Sequence, residues 1–207
     1  MRLPRRDKGE NRFMLRRIAL ALIASLAMCA PVLAAQPGAI TPEFVIRFND
    51  GSQKLLSSYR GKVICLMFVH TTCRHCQHAV QEMSKLYTEF GPKGFQPIAV
   101  AWNDMANMLV PDFIRNNGVN FPTGFAPRDE VMSYLGMSPF ERSVVPQIVW
   151  IDRKGIVRSQ TPPMGDDKLL TEGFWRDEIE TLIKEPGTTA HQGPRHHTAT
   201  TVAKKQG

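Results

Sequence analysis

Val63-Ile64-Cys65-Leu66-Met67-Phe68-Val69-His70-Thr71-Thr72-Cys73-Arg74-His75-Cys76 is an apolar run that ends in a C-x-x-C. From Val63 to Val69 the apolar residues follow one another without alternation, the pattern of a strand covered on both faces. Beyond Cys73 the period changes. Cys76, Val80, Met83 and Tyr87, with Leu86 and Phe90 beside them, fall at steps of three and four residues, which predicts a helix with one buried stripe. Gly91-Pro92-Lys93-Gly94 stops it. A buried strand thus runs into a helix, and two cysteines sit at the junction.

The flanking chain repeats this alternation. Residues 44–48 read as a strand, and Asn49-Asp50-Gly51 supplies the turn that makes it the first arm of an N-terminal hairpin. Residues 57–62 suit a short helical turn leading into Val63. A second buried strand is expected over 95–102, and a helix over 105–116 with Pro111 placed to sit at a first turn and split it. Asn117-Gly118 ends that segment. A third helix is expected over 129–135, ending at Gly136. Gln147–Ile151 reads as a strand, residues 152–155 as a hairpin turn and 156–158 as the returning strand, with a last helix over 174–184. Strands alternating with helices, then a closing hairpin and helix, predict an α/β fold: a mixed sheet with helices on both faces. No internal repeat is visible.

At 207 residues and 43% hydrophobic content the chain can bury one substantial core. The formal charge of +7 is concentrated at one end. Residues 1–35 hold seven Lys/Arg against Asp7 and Glu10, which accounts for +5 and leaves +2 for everything else. A near-neutral body carries no electrostatic footprint for nucleic acid. The basic stretch closes in Arg16-Arg17, with Met1 or Met14 as the start, and an uncharged run follows over 18–35. This is the pattern of a signal peptide over 1–34, cut after Ala34. The run is also just long enough to serve as an uncleaved membrane anchor. Lipidation at Cys29 is disfavoured by Met28, where a small residue is wanted. Either reading places the body outside the cytoplasm, in the periplasm or another extracytoplasmic and oxidising compartment. The expected organisation is a leader over 1–34, a linker over 35–41, one domain over 42–185 and a disordered tail over 186–207, which lacks periodic apolar residues.

With Cys29 removed, Cys65, Cys73 and Cys76 remain, too few for a disulfide scaffold. Cys73 falls at the expected helix N-terminus, where unpaired N–H groups and the helix dipole favour a thiolate, while Cys76 lies one turn inward and more shielded. That asymmetry predicts the division of labour: Cys73 opens a disulfide and Cys76 resolves the mixed disulfide. His75 can add positive charge or a hydrogen bond at the Cys73 sulfur, and Arg74 adds to the same field. His70 reads as a strand-end residue with a satisfied ring nitrogen, His78 as part of a solvated helix face, and Cys65 as a small buried hydrophobe. The C-x-x-C with His70 and His78 could form a zinc knuckle, but no second knuckle exists elsewhere, so no metal site is expected. His191, His196 and His197 read as part of a solvated tail.

Taken in order, Pro42-Glu43-Phe44, Asn49-Asp50-Gly51, Tyr59-Arg60-Gly61-Lys62-Val63, the Cys73/Cys76 pair, Val144-Val145-Pro146 and Ile151-Asp152-Arg153-Lys154-Gly155-Ile156-Val157 resemble the thioredoxin-like superfamily. The chain is most similar to the exported TlpA/ResA-type thiol–disulfide oxidoreductases over about residues 42–184. The resemblance implies a thioredoxin-like mixed sheet with an N-terminal hairpin and a central inserted segment. It implies a cis bond at Pro146 facing the cysteine pair, with Val145, Pro146, Thr72 and Arg74 contacting substrate. It implies no cofactor beyond a redox-active Cys73–Cys76 disulfide. The partners would be protein thiols or disulfides and an upstream redox partner, with a membrane touched only through an uncleaved leader.

Two familiar helpers are absent: Thr72 stands where the family usually has Trp, and Met67 where thioredoxin has a buried acid. His75 then becomes the leading proton handler. An X-His-Cys ending also occurs in oxidising and isomerising members, so the direction stays open. Peroxiredoxins need Thr or Ser three residues before the nucleophile and Pro seven before it. Here those positions are His70 and Leu66, which disfavours peroxidase activity. The rival readings are a copper-handling chaperone of the same fold and a partner-binding module with a vestigial disulfide.

Overall fold

The computed structural model describes residues 34–187; the expected leader, apart from Ala34, and the tail from residue 188 onward lie outside the described residues. Seven strands form one mixed sheet. Their ranges are β1 Val45–Arg47, β2 Gln53–Leu55, β3 Val63–Val69, β4 Phe95–Ala101, β5 Thr123–Phe125, β6 Gln147–Ile151 and β7 Val157–Gln160. The helices are α1 Arg74–Phe90, α2 Ala106–Asn117, α3 Arg128–Leu135 and α4 Glu172–Lys184. The spatial order of strands is β2-β1-β5-β4-β3-β6-β7. β3 runs parallel to β4 and antiparallel to β6, with Val69 opposite Ala101 and Met67 opposite Ile148.

The unbroken apolar run is explained by this placement, because every residue of β3 is buried. Its two faces feed two cores. Val63, Cys65, Met67 and Val69 pack with Val80 and Met83 of α1, Phe113 of α2 and Ile179 of α4. Ile64, Leu66 and Phe68 pack on the other side with Phe44, Ile46 and the apolar side of α3, including Tyr134. The mixed sheet with helices on both faces is therefore observed, as is the β1–β2 hairpin.

Three features depart from the sequence reading. First, β5 was not anticipated. It is only three residues long, and it joins the parallel block beside β4 while pairing with β1 through Arg47 and Phe125. Gly124 makes that crossing possible, because a Cβ there would lie 2.3 Å from the Arg47 carbonyl oxygen. Second, Pro111 does not split α2. Proline offers no N–H to the carbonyl four residues earlier, and the side-chain amide of Asn49 donates to that carbonyl, Asn107 O, instead. Third, residues 35–41, expected as a linker, pack on the domain. The Ala35 N–H donates to Tyr134 O at 2.7 Å, and Gly38 and Ala39 exchange hydrogen bonds with Val157. This segment covers the outer edge of β7, an edge otherwise open to pairing with another chain.

Pro97 lies inside β4, which has neighbours on both sides. It is tolerated because β5 pairs only with Ala99 to Ala101, so the position without an N–H lies beyond the end of that ladder.

Candidate active site

The site is built where β3 and β4 end on the same edge of the sheet. After Val69 the chain turns, and the Cys73 N–H donates to His70 O at 3.1 Å. The turn is held by side chains distant in sequence. Asn103, just past β4, accepts from the Thr71 N–H at 2.9 Å and donates through Nδ2 to Thr71 Oγ1 at 3.1 Å. Gln77, on the first turns of α1, donates to Thr71 O at 3.1 Å. Thr71 is buried in this clamp, so the backbone leading into Cys73 is fixed from both sides. Neither Asn103 nor Gln77 was singled out from sequence, because a lone amide has no signature until its partner is known.

Cys73 is the residue that caps α1. Its sulfur accepts from the Cys76 N–H at 3.4 Å, at the positive end of the helix. The thiol also points at Val145, donating to its carbonyl at 3.7 Å. The Val145–Pro146 peptide bond is cis, and the Val145 N–H has no acceptor among the described residues. Cys73 is partly exposed whereas Cys76 is fully buried beside Ala79 and Val80. Burial pushes the Cys76 thiol well above the usual cysteine range, against a smaller opposing pull from the His70 backbone N–H. Cys65 is likewise buried and pushed up by desolvation alone, in keeping with a small apolar residue.

The other expected residues are placed as follows. Thr72, on the turn before Cys73, and Arg74, the first residue of α1, are exposed. His75 is exposed too, and its ring lines a groove of about 430 Å3 together with Val145, Pro146, Met164, Leu170 and Trp175. The hydrogen-bond partners of the Cys73 sulfur are backbone groups, not His75. His78 is exposed on α1, 3.9 Å from Glu82. Met67 is wholly buried, so the strand carries no acid beneath the pair. His70 departs from expectation: its Nε2 is buried without a partner, and the ring packs edge-on against Trp102 with centroids 4.7 Å apart. Burial and the nearby Arg128 charge hold this imidazole below its ordinary pKa, with Asp104 opposing them. Met164, Leu170 and Trp175 reach the groove from far along the chain, so no local pattern could have announced them.

Among the described residues no three His, Cys, Asp or Glu side chains come together as a metal site, and no helix is long and apolar enough to cross a membrane. The arrangement pairs one accessible sulfur with one buried sulfur, beside a free backbone N–H and a groove whose lining mixes apolar side chains with His75, His78 and Asp167. Such a site can hold an extended chain while one of its sulfurs meets Cys73.

Residues 37–160 match the profile of the AhpC/TSA family, more than half of the chain. The thiol-disulfide oxidoreductase ResA of Geobacillus thermodenitrificans is 28% identical over 147 residues, covering 71% of this chain and 76% of the relative. ResA of Bacillus subtilis is 29% identical over 154 residues, covering 74% and 78%. Among solved structures, a thiol:disulfide interchange protein of the thioredoxin family from Chlorobium tepidum superposes with a TM-score of 0.58. It is 19% identical and covers 73% of this chain and 99% of that one, a likeness of fold.

Proposed function

The chain belongs to the AhpC/TSA family and is a thiol–disulfide oxidoreductase of thioredoxin-like fold; on that premise we propose that it exchanges disulfides with protein substrates outside the cytoplasm through Cys73 and Cys76. The observation that carries this reading is the position of Cys73, its sulfur held between the Cys76 N–H and the Val145 carbonyl at the start of α1. In the reducing direction the Cys73 thiolate attacks one sulfur of a substrate disulfide. A Cys73–substrate disulfide forms and the other substrate sulfur leaves as a thiolate that takes up a proton. Cys76 then loses its proton and attacks Cys73 Sγ, which releases the second substrate thiol and leaves the Cys73–Cys76 disulfide. An upstream dithiol restores the pair. Run backwards from the disulfide form, the same steps oxidise a substrate dithiol.

The unpaired Val145 N–H and the groove beside it would hold the substrate backbone as an added strand. Val145, Pro146, Thr72 and Arg74 are the contacts in this reading, and His75, between the two cysteines in sequence and exposed in the groove, is the side chain assigned to carry a proton to or from the solvent. Residues 1–34 would direct export. Peroxide reduction is the less suited chemistry, since His70 and Leu66 stand where a peroxidatic site needs a hydroxyl side chain and proline.

The test is catalysis in both directions with purified protein: reduction of insulin by dithiothreitol, and oxidation of a reduced unfolded protein by glutathione disulfide. At least one rate should rise in proportion to protein added. If neither rises above the uncatalysed background, the reading is wrong.

A further inference from the structure

Val144 and Met164 line the His75 groove, and they also line a second cavity of about 510 Å3. They therefore form a ridge between two hollows beside the Val145–Pro146 bond. The second cavity is walled by His70, Trp102, Arg128, Phe140 and Arg142. Its charged lining is two arginines, Arg128 and Arg142, against one acid, Glu141. Trp102 is 4% exposed, and its indole Nε1–H is buried without an acceptor. His70 Nε2 is buried without a partner as well. Arg128 lies over the Trp102 ring at 4.9 Å, and neither it nor Arg142 joins any ion pair among the described residues. The acid in the lining, Glu141, already accepts from the Ser138 N–H at 3.2 Å. Asp104 is the acid whose charge acts on His70.

Arg128 and Arg142 thus leave the hollow with two cationic donors that no carboxylate of the described residues pairs. Two guanidinium groups lining one hollow suit a carboxylate, for which arginine offers parallel donors. The apolar remainder is exposed: Phe140 is 97% and Met164 67% accessible. A polypeptide that covers this rim while placing an acid inside would satisfy both sets. The cavity also has a defined relation to the nucleophile, because its Val144 wall adjoins Val145, whose carbonyl faces Cys73. A chain pairing with the Val145 backbone sends alternate side chains to opposite sides, one toward the groove and one across the ridge.

We propose that this cavity is a specificity site for an acidic side chain, Asp or Glu, close to the reactive cysteine of the polypeptide that exchanges with Cys73. The proposal rests on the exchange reading and narrows its substrates to chains with an acid at a fixed register from the cysteine.

The test uses pairs of peptide disulfides identical except for Glu or Gln, with that residue moved through successive positions on either side of the cysteine. At one register the Glu peptide should show a kcat/KM about tenfold above its Gln partner at low salt, the scale of one charged hydrogen-bonded contact. Raised salt should shrink the ratio, and it should fall to near one in an Arg128→Gln, Arg142→Gln double variant whose thermal midpoint matches the parent. Equal rates for Glu and Gln at every register would overturn the proposal, as would a preference that persists in the double variant. Should the parent turn over no peptide of either kind, the exchange reading fails and this site falls with it.

Discussion

A Cys76→Ser variant is expected to stop halfway. Cys73 remains accessible at the start of α1, so it still opens a substrate disulfide, but no second sulfur is left to release it. Intact mass should show the protein plus one substrate-derived thiol joined at Cys73, with turnover reduced to background. Cys73→Ser should be inert in the same assay and form no adduct, because burial leaves Cys76 unreachable. Alkylation of the reduced parent checks the same asymmetry. The raised pKa of Cys76 keeps its thiol protonated to higher pH than an ordinary cysteine. Iodoacetamide should therefore label Cys73 while sparing Cys76 and Cys65 through mildly alkaline pH. An adduct on Cys76 with Cys73 free would reverse the assigned roles.

The second large effect is structural. Phe68 is fully buried on the β3 face that meets α3, with ring centroids 5.4 Å from Phe44 and 5.5 Å from Tyr134. Phe44 and Tyr134 are themselves 5.1 Å apart, so the three rings form one cluster joining the N-terminal segment, the sheet and α3. Phe68→Ala removes one of the three rings and leaves a space its neighbours cannot close without moving helix or strand. The expected cost is about 3–5 kcal/mol, a large part of the roughly 5–15 kcal/mol that stabilises a domain. Denaturant unfolding should show the midpoint fall with little change in slope. A loss below about 1 kcal/mol, the size of a volume-conserving swap, would mean the cluster is not packed as described.

How much of this was legible in the sequence depended on how local the cause was. β3 and α1 could be read because seven consecutive buried residues and a stripe of three- and four-residue steps are direct records of their surroundings. The cysteines were placed by the same switch of period, since it located the helix start. β5 left no such record. Three residues carry no period, and Gly124 is explained only by the Arg47 carbonyl that passes over it. Pro111 read as a helix break because the amide that serves its orphaned carbonyl comes from Asn49 in the hairpin turn. The clamp on Thr71, the groove wall at Met164 and Trp175, and the donor-lined cavity around Trp102 each join segments that meet only after folding. His70 shows the same limit from the other side. Its place at the strand end was readable, but its unpartnered nitrogen depends on Trp102 and Arg128 arriving from elsewhere.

The most direct measurement of the central claim is an equilibrium titration of the purified protein in glutathione redox buffers, read by the mass of the alkylated forms. Cys73 and Cys76 should gain and lose two electrons together at one potential, with each tenfold change in the equilibrium ratio spanning about 30 mV. The transition should vanish in either serine variant, while Cys65 stays reduced throughout. The potential then fixes whether the pair reduces or oxidises its partners. A protein that shows no such transition, or that retains Cu(I) stoichiometrically while turning over no disulfide, would contradict the account.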